Sequence, residues 1–197
     1  QGYNLMLGNT EGQAETALSY LKMMLRKRVD GLLIMCSEGQ QEVFNQLDWL
    51  KSLPVVVMDW GMENGEVDLI ADNSHRGGYL ATRHLLGLGH TAIGCITGPH
   101  SRAPANQRQA GFEQAMQEAG LTVNPGWIQE GDFDCASGAA AMTRLLALPE
   151  RPTALFVCND MMAMGVISAA HQAGLVIPRD LSIVGYDNVA LAEFMSP

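Results

Sequence analysis

The stretch Ala154–Ala170, ALFVCNDMMAMGVISAA, restricts the fold more than any other part of the chain. Its first residues, Ala154–Val157, form an unbroken apolar run that stops at Asn159-Asp160. The residues beyond carry Met161, Met164 and Ile167 at helical spacing. A run without polar alternation suits a strand buried on both faces, the condition of a parallel sheet covered by helices. The stretch therefore predicts a buried strand feeding a helix, with two polar side chains at the strand's carboxyl end. In open parallel sheets that edge is where ligands bind, because helix N-termini and loop side chains converge there.

The device recurs along the chain. A short strand is expected at Tyr3–Leu7, then a helix opened by a capping box, with Thr10 as N-cap and Gln13 reaching back. Ala17, Leu18, Leu21, Met24 and Leu25 give that helix one apolar stripe. Strand Leu32–Met35, a helix from about Gln40 to Lys51, and strand Val55–Met58 follow, then a short strand Leu69–Ala71. A second series begins at Asn73. It comprises helix Ser74–Leu88, strand Ala92–Thr97, helix Ala105–Ala119, strand Trp127–Gln129, helix Ala136–Leu148, the stretch above, and strand Leu181–Val184. Alternation of this kind implies parallel sheets with right-handed crossovers. The expected division is an N-terminal lobe over residues 1–73 and a C-terminal lobe over residues 74–197.

Charge and cysteine usage narrow the function. The net charge is −9, and no basic cluster exceeds Arg26-Lys27-Arg28, so direct binding of nucleic acid by this stretch is disfavoured. Cys36, Cys95, Cys135 and Cys158 stand singly with no metal-ligand spacing. Three of them sit in or at the end of apolar runs, which points to reduced, small hydrophobes in a cytoplasmic setting and to no metal. No apolar run approaches the ~20 residues a membrane helix needs, and no membrane partner is expected. The five histidines show no ligand spacing and read as surface residues.

The residues just past each expected strand form a polar rim. They are Asp59 and Trp60, Asp72 at the lobe crossing, Ser101, Arg102, Asn106 and Arg108, Asp132 and Phe133, Asn159 and Asp160, and Asp187 and Asn188. Carboxylates, amides and arginine with aromatics among them suit a small polyhydroxylated or heterocyclic ligand. Plainer roles stand beside these: Asp160 as a helix cap, Asn73 or Ser74 as another, Asp132 and Asn188 as turn residues. Arg108 could serve a salt bridge, and Phe133 and Trp60 could simply pack. Neither G-x-S-x-G nor H-E-x-x-H occurs, and Gly94, Gly98 and Gly111 do not make a dinucleotide fingerprint. Binding without catalysis and without a cofactor is the economical reading.

Six segments carry a family likeness: VDGLLIMCS (Val29–Ser37), VVVMDWG (Val55–Gly61), IADNSHRGGYLATRHLLGLGH (Ile70–His90), GFEQAM (Gly111–Met116), VCNDMMAMG (Val157–Gly165) and PRDLSIVGYDN (Pro178–Asn188). In this order they resemble the effector-binding core of LacI/GalR-type transcriptional regulators, most of all its ribose-responsive members and next its purine-responsive ones. The resemblance implies an α/β, periplasmic-binding-protein-like (type I) fold of two doubly wound lobes with the effector in the cleft between them. It implies that this piece is an incomplete core. The first strand and helix and a helix-turn-helix headpiece would precede Gln1, and the return crossings would follow Pro197.

Carried over by position, the resemblance points to Asp59, Arg102, Asn106, Arg108, Phe133, Asn159 and Asp187 as effector-binding residues, Phe133 stacking and Asp187 facing ligand hydroxyls or ring nitrogens. Asp72, Trp60 and Asp160 join them with less support, Trp60 at a lobe-interface position. The chain departs from the ribose-type pattern, which holds arginine where Asn106 stands. Arg102 matches the purine-type pattern, from which Pro104 removes a hydroxyl. The implied partners are a small effector (a pentose such as ribose, or a purine or nucleoside), a second copy in a homodimer, and operator DNA through the absent headpiece. The rival readings are a periplasmic sugar-binding transport receptor and a doubly wound enzyme.

Overall fold

A computed structural model describes residues 2–10, 13–35, 53–58 and 68–195. The chain divides into two compact units, Gln1–Asp72 and Asn73–Pro197. In the first unit, helix α1 (Ala14–Arg26) is followed by strands β1 (Leu32–Met35), β2 (Val55–Met58) and β3 (Asp68–Ile70). The strands form one parallel sheet in the order β1-β2-β3. The central strand buries Val55 and Val57, and α1 turns Ala17 and Leu21 inward.

Two local expectations fail in this unit. Tyr3–Leu7 is no strand: it has no place in the ladder, and Tyr3, Leu5 and Leu7 are exposed. Alternating apolar residues form a strand only against a partner that takes their hydrogen bonds. The capping box is also absent. Gln13 itself occupies the N-cap position, without a side-chain cap bond, and its Oε1 accepts from Thr16 Oγ1 at 3.2 Å. The helix expected at Gln40–Lys51, and with it Asp59 and Trp60, lies outside the described residues.

The second unit runs α2 (Ser74–Gly87), β4 (Ile93–Thr97), α3 (Ala103–Glu118), β5 (Ile128–Glu130), α4 (Cys135–Leu146), β6 (Ala154–Val157), α5 (Asp160–Gln172) and β7 (Ser182–Val184). All four strands are parallel, in the order β5-β4-β6-β7. From β4 the chain steps to β5 on one side, then returns to β6 on the other. Right-handed crossovers therefore put α3 on one face and α4 with α5 on the opposite face. α2 packs against α3, and α4 against α5.

Every residue of β4 and β6 is buried, as the continuous apolar runs require. Phe112 and Met116 from α3, Met142 and Leu145 from α4, and Met162 and Val166 from α5 close over them. Each such side chain contributes about 1.5–3 kcal/mol on leaving water. Helix pairs meet at backbone distance. A Cβ on Gly111 would run into the His75 carbonyl, and one on Gly165 into the Cys135 carbonyl. Cys95 and Cys158 are buried beside one another, and burial, with the Cys158 contact second, pushes the Cys95 thiol well up. They are packing residues.

Turn chemistry moves one strand: Asn124 Oδ1 accepts from Gly126 N at 2.9 Å, Pro125–Trp127 becomes a 3-10 turn, and β5 starts at Ile128. His90 is not a bare surface residue. Its ring nitrogens lie 2.9 Å from Thr153 Oγ1 and 3.0 Å from Ser182 Oγ, tying together the amino ends of β6 and β7.

Two predictions follow from this packing. Gly111→Val should destabilise the second unit by about 3 kcal/mol or more, because the clash is with backbone; urea unfolding of the variant measures it. The second concerns acid. The Arg179 fork, then the Val176 N–H, draw the Asp180 carboxyl down to about 2. Hydrogen bonds from Ser137 lower Asp134 as well. Both folded values lie below the unfolded Asp value of about 3.9, so this stabilisation is complete above that value and is lost as the pH falls through the folded ones. The melting temperature should drop between about pH 4 and pH 2, and Asp180→Asn should flatten part of the slope in scanning calorimetry.

Candidate functional site

The reversal of strand order in the second unit lies at β4 and β6, whose following loops diverge and leave room at the sheet's carboxyl edge. One side chain spans that edge. Arg108, in the second turn of α3, is only 7% exposed. Its Nη1 donates to the Cys158 carbonyl at 2.6 Å and its Nε to Ser74 Oγ at 3.2 Å. Asp187 Oδ1 lies 3.9 Å from Nη1, and the guanidinium sits 3.8 Å from the centroid of Tyr186 and 6.0 Å from that of Phe133. A planar, always-charged fork suits this combination of carbonyl, hydroxyl, carboxylate and ring faces, which lysine could not satisfy together.

Asn159 does two jobs from the position after β6. Its Oδ1 caps α5 by accepting from Met162 N at 2.9 Å, and its Nδ2 donates to the Phe133 carbonyl at 2.9 Å. That bond secures a residue in the left-handed region, since Phe133 has φ 60°. Gly98 lies under the ring, and any Cβ there would collide with it. The loop after β7 is held similarly. Asp160 Oδ2 accepts from Val189 N at 2.9 Å, across a loop in which Asp187 has φ 104° and Asn188 φ 60°. Left-handed conformations of this kind cost about 1–3 kcal/mol each and persist where surrounding bonds over-determine them. A hollow of about 480 Å³ lies along this loop, lined by Asp160, Gly185, Tyr186, Asp187, Asn188 and Ala192.

Arg108, Phe133, Asn159 and Asp187 thus belong to one connected cluster, with Asp160 bracing its outer loop. Arg102 stands half-buried at the N-cap of α3. Asn106 turns its amide to the β4–α3 loop, Nδ2 donating to the His100 carbonyl at 2.8 Å. Asp72 is exposed and belongs to the first unit. Two members of the cluster escaped sequence reasoning. Tyr186 had a signal, its place beside Asp187 in Gly-Tyr-Asp-Asn; Ser74 reads in the sequence only as a possible helix cap, the role that Asn73 takes by accepting from Arg76 N at 2.9 Å. Among the described residues no group of three or more His, Cys, Asp or Glu is placed to hold a metal ion. No helix among them is long and apolar enough to cross a membrane.

A parallel sheet with buried polar residues gathered at its carboxyl edge is the arrangement in which open α/β domains bind ligands. The model of the periplasmic binding protein-like domain matches residues 82–197, more than half of the chain. The HTH-type transcriptional repressor PurR of Aliivibrio salmonicida is 49% identical over 197 residues, covering 100% of this chain and 59% of that protein. Its counterpart in Aliivibrio fischeri is 50% identical over 199 residues, with the same coverage of 100% and 59%. The chain thus spans about three-fifths of the length of these curated relatives. The crystal structure of a putative ribose operon repressor from Burkholderia thailandensis superposes with a TM-score of 0.86 at 29% identity, over 98% of this chain and 71% of that one. The chain belongs to the periplasmic-binding-protein-like domain family, as a LacI-family effector-binding core.

Removing the spanning guanidinium leaves a buried carbonyl without its donor. Arg108→Met should therefore cost about 3 kcal/mol in urea unfolding. Asp187→Ala, at a 37% exposed carboxylate and a 3.9 Å ion pair, should stay within about 1 kcal/mol of the parent.

Proposed function

We propose that the chain is the effector-sensing core of a cytoplasmic transcriptional repressor. It binds a small metabolite at the carboxyl edge of the second unit's sheet and passes that event to a DNA-binding headpiece outside this sequence. The intact protein acts as a homodimer on operator DNA. One observation carries the reading: buried Arg108 and Asn159 hold an aromatic ring, Phe133, and a partly exposed carboxylate, Asp187, at one edge. A ring face and a carboxylate beside it bind a flat heterocycle with N–H groups or a sugar with neighbouring hydroxyls.

A purine base or nucleoside is the preferred effector and a pentose such as ribose the second. Arg102 follows the purine-type pattern, and relatives carrying the PurR name share 49–50% of the sequence. Asn106 stands where ribose-type members hold arginine. The mechanism is binding, not turnover. A ligand that prefers one of two conformations by about 100-fold shifts their balance by about 2.7 kcal/mol. The similarity to repressors supports this reading over a transport receptor or an enzyme.

Calorimetric titration of the full-length protein with hypoxanthine, guanine, adenosine and ribose tests the proposal. At least one should bind at micromolar strength or better, and Asp187→Ala should abolish that binding while the protein still melts cooperatively. Phe133→Ala should weaken it by about 1–3 kcal/mol, the scale of base–aromatic stacking. Equal affinity in Asp187→Ala and parent would overturn the site.

A further inference from the structure

We infer that Asn106 and Glu130 are positioning residues: together they clamp His100 and so fix the 98–102 loop that places Arg102 at the edge of the sheet. The link to the effector rests on the function proposed above; the clamp itself rests on geometry alone.

β4 ends at Thr97 and α3 begins at Ala103. The five residues between, Gly98 to Arg102, have no ladder or helix to hold them. An exposed residue in such a loop ordinarily gives its backbone polar groups to water. His100 is exposed, yet side chains from two other elements take both. Its N–H donates to Glu130 Oε1 on β5 at 2.9 Å, and its carbonyl accepts from Asn106 Nδ2 on α3 at 2.8 Å. The ring adds to the same grip, with Nδ1 3.3 Å from Asn106 Oδ1 and Nε2 3.8 Å from Glu130 Oε2.

The carboxylate side of the clamp is itself anchored. Arg144 of α4 donates through Nη2 to the Glu130 carbonyl at 2.8 Å and through Nε to Gln129 Oε1 at 2.6 Å. The contacts therefore run from α4 to β5, to His100, to α3. Imidazole and carboxylate are each about half exposed (50% and 51%), so their charge contact is worth little. The two backbone hydrogen bonds carry the clamp. Asparagine is a poorer helix former than alanine, so helix formation alone does not account for Asn106. Arg102 is two residues beyond His100, its own N–H closing a turn on the Pro99 carbonyl at 2.9 Å. Wherever His100 is held, the direction of Arg102 is held too.

The full-length protein and four variants separate this from a purely structural role. In Asn106→Ala and Glu130→Ala, the amides of His100 and Arg102 should exchange with deuterium about tenfold faster, the effect of losing one hydrogen bond. Amides of β4 and β6 should be unchanged. Glu130→Gln, which keeps an oxygen acceptor, should restore parental exchange. Asn106→Asp, which keeps the shape but loses the N–H donor, should behave like alanine. Of hypoxanthine, guanine, adenosine and ribose, whichever binds the parent should bind both alanine variants about tenfold more weakly and Glu130→Gln normally.

Parental exchange at His100 and Arg102 in both alanine variants would overturn the clamp. Faster exchange with undiminished affinity would overturn its role in binding. Should none of the four compounds bind the parent, the effector reading fails and the positioning of Arg102 for it fails with that reading, while the exchange data still decide the clamp.

Discussion

A guanidinium withdrawn from water is the constraint on which the second unit's edge depends. Burying a charge of this size costs several kcal/mol even after relaxation. Arg108 offsets that cost mainly through the Cys158 carbonyl, the Ser74 hydroxyl and the Tyr186 ring, with the partly exposed Asp187 carboxylate at 3.9 Å adding less. Those groups come from the end of β6, the start of α2 and the loop after β7. The position of Arg108 is set in turn by a close helix crossing: a Cβ on Gly78 of α2 would land on the Arg108 carbonyl, so α3 rests directly on α2 there. Core packing thus decides where the guanidinium starts, and the guanidinium decides where two loops end.

Much of this architecture was legible in the residues. Ala154–Val157 is a strand as the unbroken run requires, and the alternation of strands and helices throughout the second unit matches the apolar periodicity. What failed depended on partners the pattern does not name. Tyr3–Leu7 has suitable alternation, but a strand also needs a neighbour. The Thr10–Gln13 pair has the right spacing for a capping box, yet the glutamine side chain turns toward Thr16 instead. At Asn124-Pro125-Gly126 turn chemistry won over the apolar Trp127, since an asparagine that accepts from the residue two ahead stabilises a turn locally.

In the site, identities were easier to read than roles. Residues at strand ends are candidates because parallel sheets bind ligands there, and Arg108, Phe133, Asn159 and Asp187 do meet. Yet Asn106, Arg108, Asn159 and Asp160 each reach a backbone group: the carbonyls of His100, Cys158 and Phe133, and the amide of Val189. Backbone groups are the same at every position, so no residue pattern announces them, and the Arg108–Cys158 pair is 50 positions apart. A polar side chain at a strand end can therefore face the ligand or brace what faces it. Only the fold separates the two.

That division of labour has a thermodynamic consequence. Asp187 and Asn188 hold consecutive positive φ angles, and Phe133 another, conformations an unbraced chain would seldom visit. Because Asp160, Arg108 and Asn159 enforce them in the protein by itself, the cost of ordering these groups is met in folding and not at the moment of binding. A ligand meeting a ring and a carboxylate already in place loses less affinity to reorganisation than one that must assemble them. The same logic gives the bracing residues their weight at this edge: each exposed contact is only as selective as the hydrogen bonds behind it are strict.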